Sequence, residues 1–293
     1  MSIFTGAGTA LITPFTDSGI DFAAFEMQIE YQIENGIDAL IVCGTTGESS
    51  TMTKEEDLAA IEFVIKKAAG RVPVIAGTGS NSTASAVETS KEASALGADG
   101  LLVVTPYYNK CNEEGLVRHY HMIADAVDTP IIVYNVPGRT GVNISPAAMK
   151  RIFAHDNIVA LKAASGNIAQ IAETITLCPG LDVYAGNDDY VVPVMSLGGK
   201  GVISVVANLA PQMTHDMVMR YVEGDSTGAR DLQLKLFPLV RALFSEVNPI
   251  PVKTAMNMIG MNGGRLRMPL YQMSDEKAKR LEKELAALGF EMV

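Results

Sequence analysis

Lys162 ends a short apolar run, Asn157-Ile158-Val159-Ala160-Leu161, and is followed at once by Ala163-Ala164-Ser165-Gly166-Asn167. A run of this length, rich in β-branched residues and closed by Ser and Gly, predicts a buried strand entering a loop. An ammonium at the end of a buried strand is costly unless it is paired. Held in a partly dry pocket, its pKa falls. An amine with a lowered pKa can attack a carbonyl carbon. The bland alternative is a lysine whose stem is buried while its head stays in water. Lys253, in Asn248-Pro249-Ile250-Pro251-Val252-Lys253, also has apolar neighbours. It falls in a stretch read as helical, away from strand ends, and ranks below Lys162.

Three further segments carry groups that such an amine would need. Cys43-Gly44-Thr45-Thr46-Gly47-Glu48-Ser49 joins two glycines to two hydroxyls. Its backbone can bend to aim N–H groups at one point, a nest for a carboxylate or phosphate; the threonines could equally cap the next helix. Thr105-Pro106-Tyr107-Tyr108-Asn109 sets two tyrosines side by side on a loop, so that one packs while the other reaches into a site. Tyr134-Asn135-Val136-Pro137-Gly138-Arg139-Thr140 puts a tyrosine at a strand end. After the Pro-Gly turn, Arg139 offers a planar fork for a carboxylate, although a lone arginine is more often a surface residue.

Other chemistries lack their parts. His119 and His121 are two apart on a predicted helix and face different ways, so no metal site is expected. There is no GxSxG elbow and no P-loop, and Gly77-Thr78-Gly79 lacks a third glycine. Gly198-Gly199-Lys200-Gly201 precedes a strand, whereas a phosphate-binding barrel places its glycine loop after one. The polar set at several strand ends speaks against a non-catalytic scaffold. An amine nucleophile, hydroxyls, an anion nest and an arginine are the parts of a Schiff-base aldolase.

The elements that must position these groups are legible as alternation. β-Branched runs recur roughly every 25–30 residues, separated by amphipathic stretches of helical period. The runs cover residues 8–12, 39–42, 72–76, 100–104, 131–134, 158–161, 181–184 and 201–205. Residues 55–69 carry Ile61, Val64, Ile65 and Ala68 on one helical face; Ser82 and Ser145 precede predicted helix starts. Eight strand–helix units are the count of a (β/α)8 TIM barrel, with its active site at the strands' C-terminal ends. Residues 1–224 are read as that barrel. Residues 225–293 hold no such run and read as a helical appendage with helices near 229–246, 252–259 and 274–288.

Bulk properties narrow the partners. Of the 293 residues 48% are hydrophobic and 19% charged, which suits a large core. A net charge of −10 disfavours nucleic acid and anionic membranes, and leaves any anionic substrate to local positive groups. Cys43, Cys111 and Cys178 form no CxxC pair, which fits a reducing cytoplasm. No apolar stretch is long enough to span a membrane.

The Gly44–Glu48, Thr105–Asn109, Tyr134–Thr140 and Lys162–Asn167 segments, together with 201–205 and 248–253, resemble the dihydrodipicolinate synthase family of pyruvate-dependent class I aldolases, nearly end to end. The resemblance implies condensation of pyruvate with L-aspartate 4-semialdehyde, the first committed step of diaminopimelate and lysine biosynthesis, without cofactor or metal. It assigns the imine to Lys162 and a proton relay to Thr45, Tyr134 and Tyr108, with Tyr108 reaching in from a neighbouring subunit. The Thr45-Thr46 backbone would hold the pyruvate carboxylate. Arg139 would position Tyr134 and receive the semialdehyde carboxylate, with Gly186 and Ile203 lining the pocket. A homotetramer, a dimer of tight dimers, is implied. N-acetylneuraminate lyase and 2-keto-3-deoxy sugar acid aldolases share the imine chemistry; Arg139 and Tyr108 separate them from this reading.

The chain departs from the family pattern twice. Ala163 stands where the family usually has an acidic residue. Strand alternation points residue 163 away from the barrel axis, so imine chemistry is expected to persist with some loss of packing. The family's lysine-inhibition cleft corresponds to Ser49, Asn81, Ser85 and Tyr107, with Lys54 and Asp57. Ser85 carries no negative charge and Lys54 adds a positive one, so weak or absent inhibition by lysine is expected.

Overall fold

The computed structural model describes residues 2–293. Its eight parallel strands are β1 (Gly6–Ala10), β2 (Ala39–Val42), β3 (Val74–Gly77), β4 (Gly100–Val104), β5 (Ile131–Asn135), β6 (Ile158–Ala163), β7 (Asp182–Ala185) and β8 (Gly201–Ser204). They form a closed barrel. β1 pairs with β8 through Gly6↔Gly201 and with β2 through Gly8↔Ala39, so no strand edge is left open.

Alternate residues of each strand serve two cores. Ile41, Ile75, Leu102, Ile132, Ala160, Tyr184 and Ile203 fill the barrel. Their neighbours Val42, Val74, Val103, Val133, Leu161, Val183 and Val202 pack outward against the helices. Phe4 plugs the barrel floor, stacked on Tyr184 with ring centroids 4.4 Å apart, while the Tyr184 hydroxyl donates to the Phe4 carbonyl at 2.7 Å.

Three features differ from the sequence expectation. β1 begins and ends two residues early: Leu11 still donates to Ile41, but Pro14 has no N–H to continue the ladder. A small antiparallel hairpin, Phe15–Thr16 with Gly19–Ile20, follows it. β6 runs two residues beyond its expected end and contains a bulge: Ile131 pairs with Ile158, but Ile132 with Ala160. Val159 is the extra residue. Since a one-residue shift exchanges the two faces of a strand, the bulge sets which of Leu161 and Lys162 points inward.

The connecting helices start as their caps predict. Thr53 and Glu56 form a reciprocal capping box on Lys54–Ala68, and Ser82 and Ser145 cap Thr83–Ala95 and Pro146–Ile152. The last three long helices, Ser226–Leu243, Ile250–Met258 and Asp275–Ala287, share an apolar cluster with Ile12, Val205, Val206 and Leu209 at the strand C-terminal ends. They therefore wall one side of the barrel mouth. Gln233 fastens the first of them there, donating to the Asp188 carbonyl at 2.7 Å and accepting from the Val192 N–H at 3.1 Å.

Candidate active site

β6 places Lys162 in register between Tyr134 of β5 and Tyr184 of β7, so the lysine points into the barrel. It is only 6% exposed, and its Nζ lies 4.3 Å from the centroid of the Tyr134 ring. Among the described residues it has no ion pair. Burial lowers its pKa to about 7; the Asp188 carboxylate opposes this and the Arg139 charge adds to it. An amine with a pKa near 10.4 is roughly one part in a thousand neutral at pH 7. This one is about half neutral.

Tyr134 is buried, and burial raises the pKa of its phenol against the Arg139 charge and the Thr45 hydroxyl, which lower it. The 3-10 turn Thr45–Gly47 follows β2. The N–H groups of Thr45 and Thr46, the first of that turn, find no acceptor within the described residues, and the Thr46 hydroxyl accepts from Asn248 Nδ2 at 2.9 Å. Two free N–H groups at one bend make an anion nest. Left-handed backbone brackets it at Cys43 (φ 56°) and Glu48 (φ 57°), so the bend is held by two non-glycine residues. Gly47 is needed for closeness, since a Cβ there would stand 3.2 Å from Thr13 Oγ1 and 3.3 Å from the Leu11 carbonyl.

Arg139 sits in the short helix Pro137–Thr140 and donates to the Asn248 carbonyl at 3.0 Å. Asn248 thus joins the nest to Arg139. Gly186 follows β7; its N–H donates to the Ala163 carbonyl at 2.7 Å, and a Cβ there would come within 2.7 Å of the Ala164 Cβ. Ile203 is buried inside the barrel on β8. Tyr108 does not join this group within the chain: it is 91% exposed, with φ 69°. Tyr107 beside it is also exposed, at 38%, so within the chain neither tyrosine is packed and neither reaches the site.

Ala163 faces outward into the barrel–helix layer, and only its carbonyl, accepting from Tyr190 Oη at 2.9 Å and from Gly186, touches the site's framework. The sequence reading placed Lys253 away from strand ends, and this is corrected. Its helix folds back across the mouth, and its Nζ donates to Glu48 Oε1 at 2.6 Å, the Thr13 carbonyl at 2.8 Å and the Arg265 carbonyl at 2.5 Å. All three of its protons are used, which leaves no free amine. Lys54 is also corrected: its charge is met by Glu88 at 2.8 Å and Glu92 at 2.9 Å, so it is no free cation. Ser49 donates to Asp57, Asn81 accepts from Asn109, and the Ser85 N–H is capped by Ser82.

The sequence profile of the dihydrodipicolinate synthetase family matches residues 3–288. The chain belongs to that family. The 4-hydroxy-tetrahydrodipicolinate synthase of Caldicellulosiruptor bescii is 55% identical over 99% of this chain and 98% of its own. The solved dihydrodipicolinate synthase of Aquifex aeolicus superposes with a TM-score of 0.97 at 44% identity, covering 99% of each chain. A structure described as the first monomeric dihydrodipicolinate synthase variant matches equally, with a TM-score of 0.97 and 43% identity over 99% of this chain and 98% of that one.

Sequence reasoning missed Asp188, the buried counter-charge of Lys162. Its Oδ2 accepts from the Val205 and Val206 N–H groups, both at 3.0 Å, and its Oδ1 has no partner. Burial raises its pKa. The signal was present: Asp188 follows β7 by three residues, at the end of the barrel where site groups are placed.

Proposed function

We propose that this protein condenses pyruvate with L-aspartate 4-semialdehyde to give 4-hydroxy-tetrahydrodipicolinate, the entry step to diaminopimelate and lysine. The buried Lys162 amine, with a pKa of about 7 and facing Tyr134, carries the reading. Its neutral form adds to the ketone of pyruvate, and loss of water leaves an imine. The protonated imine nitrogen draws electrons from the adjacent methyl, which gives up a proton to form an enamine. The enamine carbon bonds to the aldehyde carbon, and the semialdehyde's own amino group then displaces Lys162 and closes the ring.

Each step moves a proton, and Tyr134, Thr45 and Tyr108 of a neighbouring subunit form the relay. The free N–H groups of Thr45 and Thr46 hold the pyruvate carboxylate. Arg139, fixed by Asn248, receives the carboxylate of the semialdehyde. Gly186 and Ile203 line the pocket. The exposed Tyr108 fits a site shared between subunits, and we infer a cytoplasmic homotetramer built from tight dimers. Inhibition by L-lysine is weak or absent, because Ser85 brings no charge to the cleft; half-inhibition below a millimolar level would overturn this.

Borohydride reduction in the presence of pyruvate, followed by peptide mapping, tests the reading. One pyruvate-derived mass on the peptide holding Lys162, with turnover of the semialdehyde, supports it. Folded protein with no adduct rejects the imine. An adduct with cleavage of sialic acid and no semialdehyde turnover moves the protein to another lyase activity.

A further inference from the structure

The chain has ten arginines. Seven are held by carboxylates, and Arg139 is held by the Asn248 carbonyl. Arg241 and Arg280 are the remaining two. Among the described residues neither has a hydrogen bond or an ion pair, and both line one cavity of about 360 Å³. That volume falls within the range of small-molecule sites, about 300–1,000 Å³.

Arg241 comes from the helix Ser226–Leu243 and Arg280 from Asp275–Ala287. Asn187 and Asp189 complete the lining; in sequence they flank Asp188, whose carboxylate acts on Lys162. The cavity therefore lies just past the C-terminal end of β7, at the end of the barrel that carries Lys162. Val240 and the partly exposed Phe244 give it an apolar side. In a chain of net charge −10, two unneutralised guanidiniums in one concavity concentrate positive potential at that end of the barrel. Guanidinium is also the planar partner that carboxylate geometry favours. Asp189 adds one negative charge to the same cavity, so the lining matches a molecule that carries both a carboxylate and an ammonium.

We propose that this cavity is a vestibule for the semialdehyde: its α-carboxylate rests against Arg241 and Arg280 and its α-ammonium against Asp189 before it meets the pyruvate adduct. The proposal rests on the function given above. Pyruvate, which has no ammonium, gains less from this lining.

The test is steady-state kinetics of the full-length R241Q/R280Q variant at low and high ionic strength. The expected result is about a tenfold fall in kcat/KM for the semialdehyde at low salt, with borohydride-trapped pyruvate adduct forming at the wild-type rate. The salt dependence of kcat/KM seen in the wild type should flatten in the variant. R241K/R280K, which keeps the charge, should restore most of the loss. D189N should raise the semialdehyde KM and leave the pyruvate KM unmoved. An unchanged semialdehyde kcat/KM, or an equal loss for both substrates, would overturn the vestibule. If the double variant does not fold, the single variants and D189N decide by the same criteria. Absence of adduct or of semialdehyde turnover in the wild type would instead reject the function on which the proposal rests.

Discussion

At the scale of single residues the site works by holding Lys162 near neutrality. Because burial takes its pKa to about 7, the rate of pyruvate adduct formation should fall about tenfold per pH unit below pH 7; rapid borohydride quenching across pH 5–8 measures this. The linkage has a definite sign. Between the folded value of about 7 and the unfolded value of 10.5 the unfolded chain holds the extra proton, so stability from this residue rises with pH over that window. Asp188 opposes the shift, so D188N should move the kinetic inflection below pH 7, the neutral amide still accepting the Val205 and Val206 N–H groups. Ala163 points into the outer layer. A163E should therefore move that inflection by less than about one unit, and a larger shift would show that the carboxylate reaches the amine after all. Lys162, Tyr134 and Thr45 were legible because each lies within three residues of a strand's C-terminal end, near Gly, Ser or Pro. Asp188 was legible only in principle, since the fold alone brings the turn after β7 within electrostatic reach of Lys162 on β6.

At the scale of elements the anion nest is braced from far along the chain. Glu48 and Lys253 are 1% exposed or less as side chains and meet at 2.6 Å. Glu48 also accepts from the Arg267 N–H, while the Lys253 ammonium and the Arg267 guanidinium both lie over the Phe15 ring, at 4.6 and 4.0 Å. Removing one partner leaves a buried charge, so E48Q or K253M alone should each cost about 3–5 kcal/mol in urea denaturation. The E48Q/K253M pair should cost less than the sum of the two. Gly186 is tested separately: G186A drives a methyl against Ala164 and the Ala163 carbonyl. It should cost about 1–3 kcal/mol and lower kcat more than it raises the pyruvate KM. None of this bracing could be read from sequence, because Glu48 and Lys253 are separated by 205 positions and only the folding back of a helix joins them. The bulge at Val159 was equally hidden, since a β-branched residue reads the same in a regular strand as in a bulged one.

At the scale of the whole molecule the alternation of strands and helices gave the barrel its count of eight, while loop-borne contacts stayed invisible. Tyr108 cannot complete a site in its own chain while it projects into solvent. If it serves a neighbour, mixed refolding of inactive K162A and Y108F chains should recover activity, since a mixed pair holds one site with both residues intact; no recovery would assign Tyr108 another role. The closure of β1 on β8 has a consequence for the life of the chain before it is finished. A ribosome must deliver residues through Ser204 before the last seam can form, and Phe4, made first, must wait for Tyr184 to seal the floor. Until then water reaches Lys162, and its amine keeps the ordinary pKa of about 10.4. The nascent chain is thus chemically quiet, and the finished barrel switches its own nucleophile on.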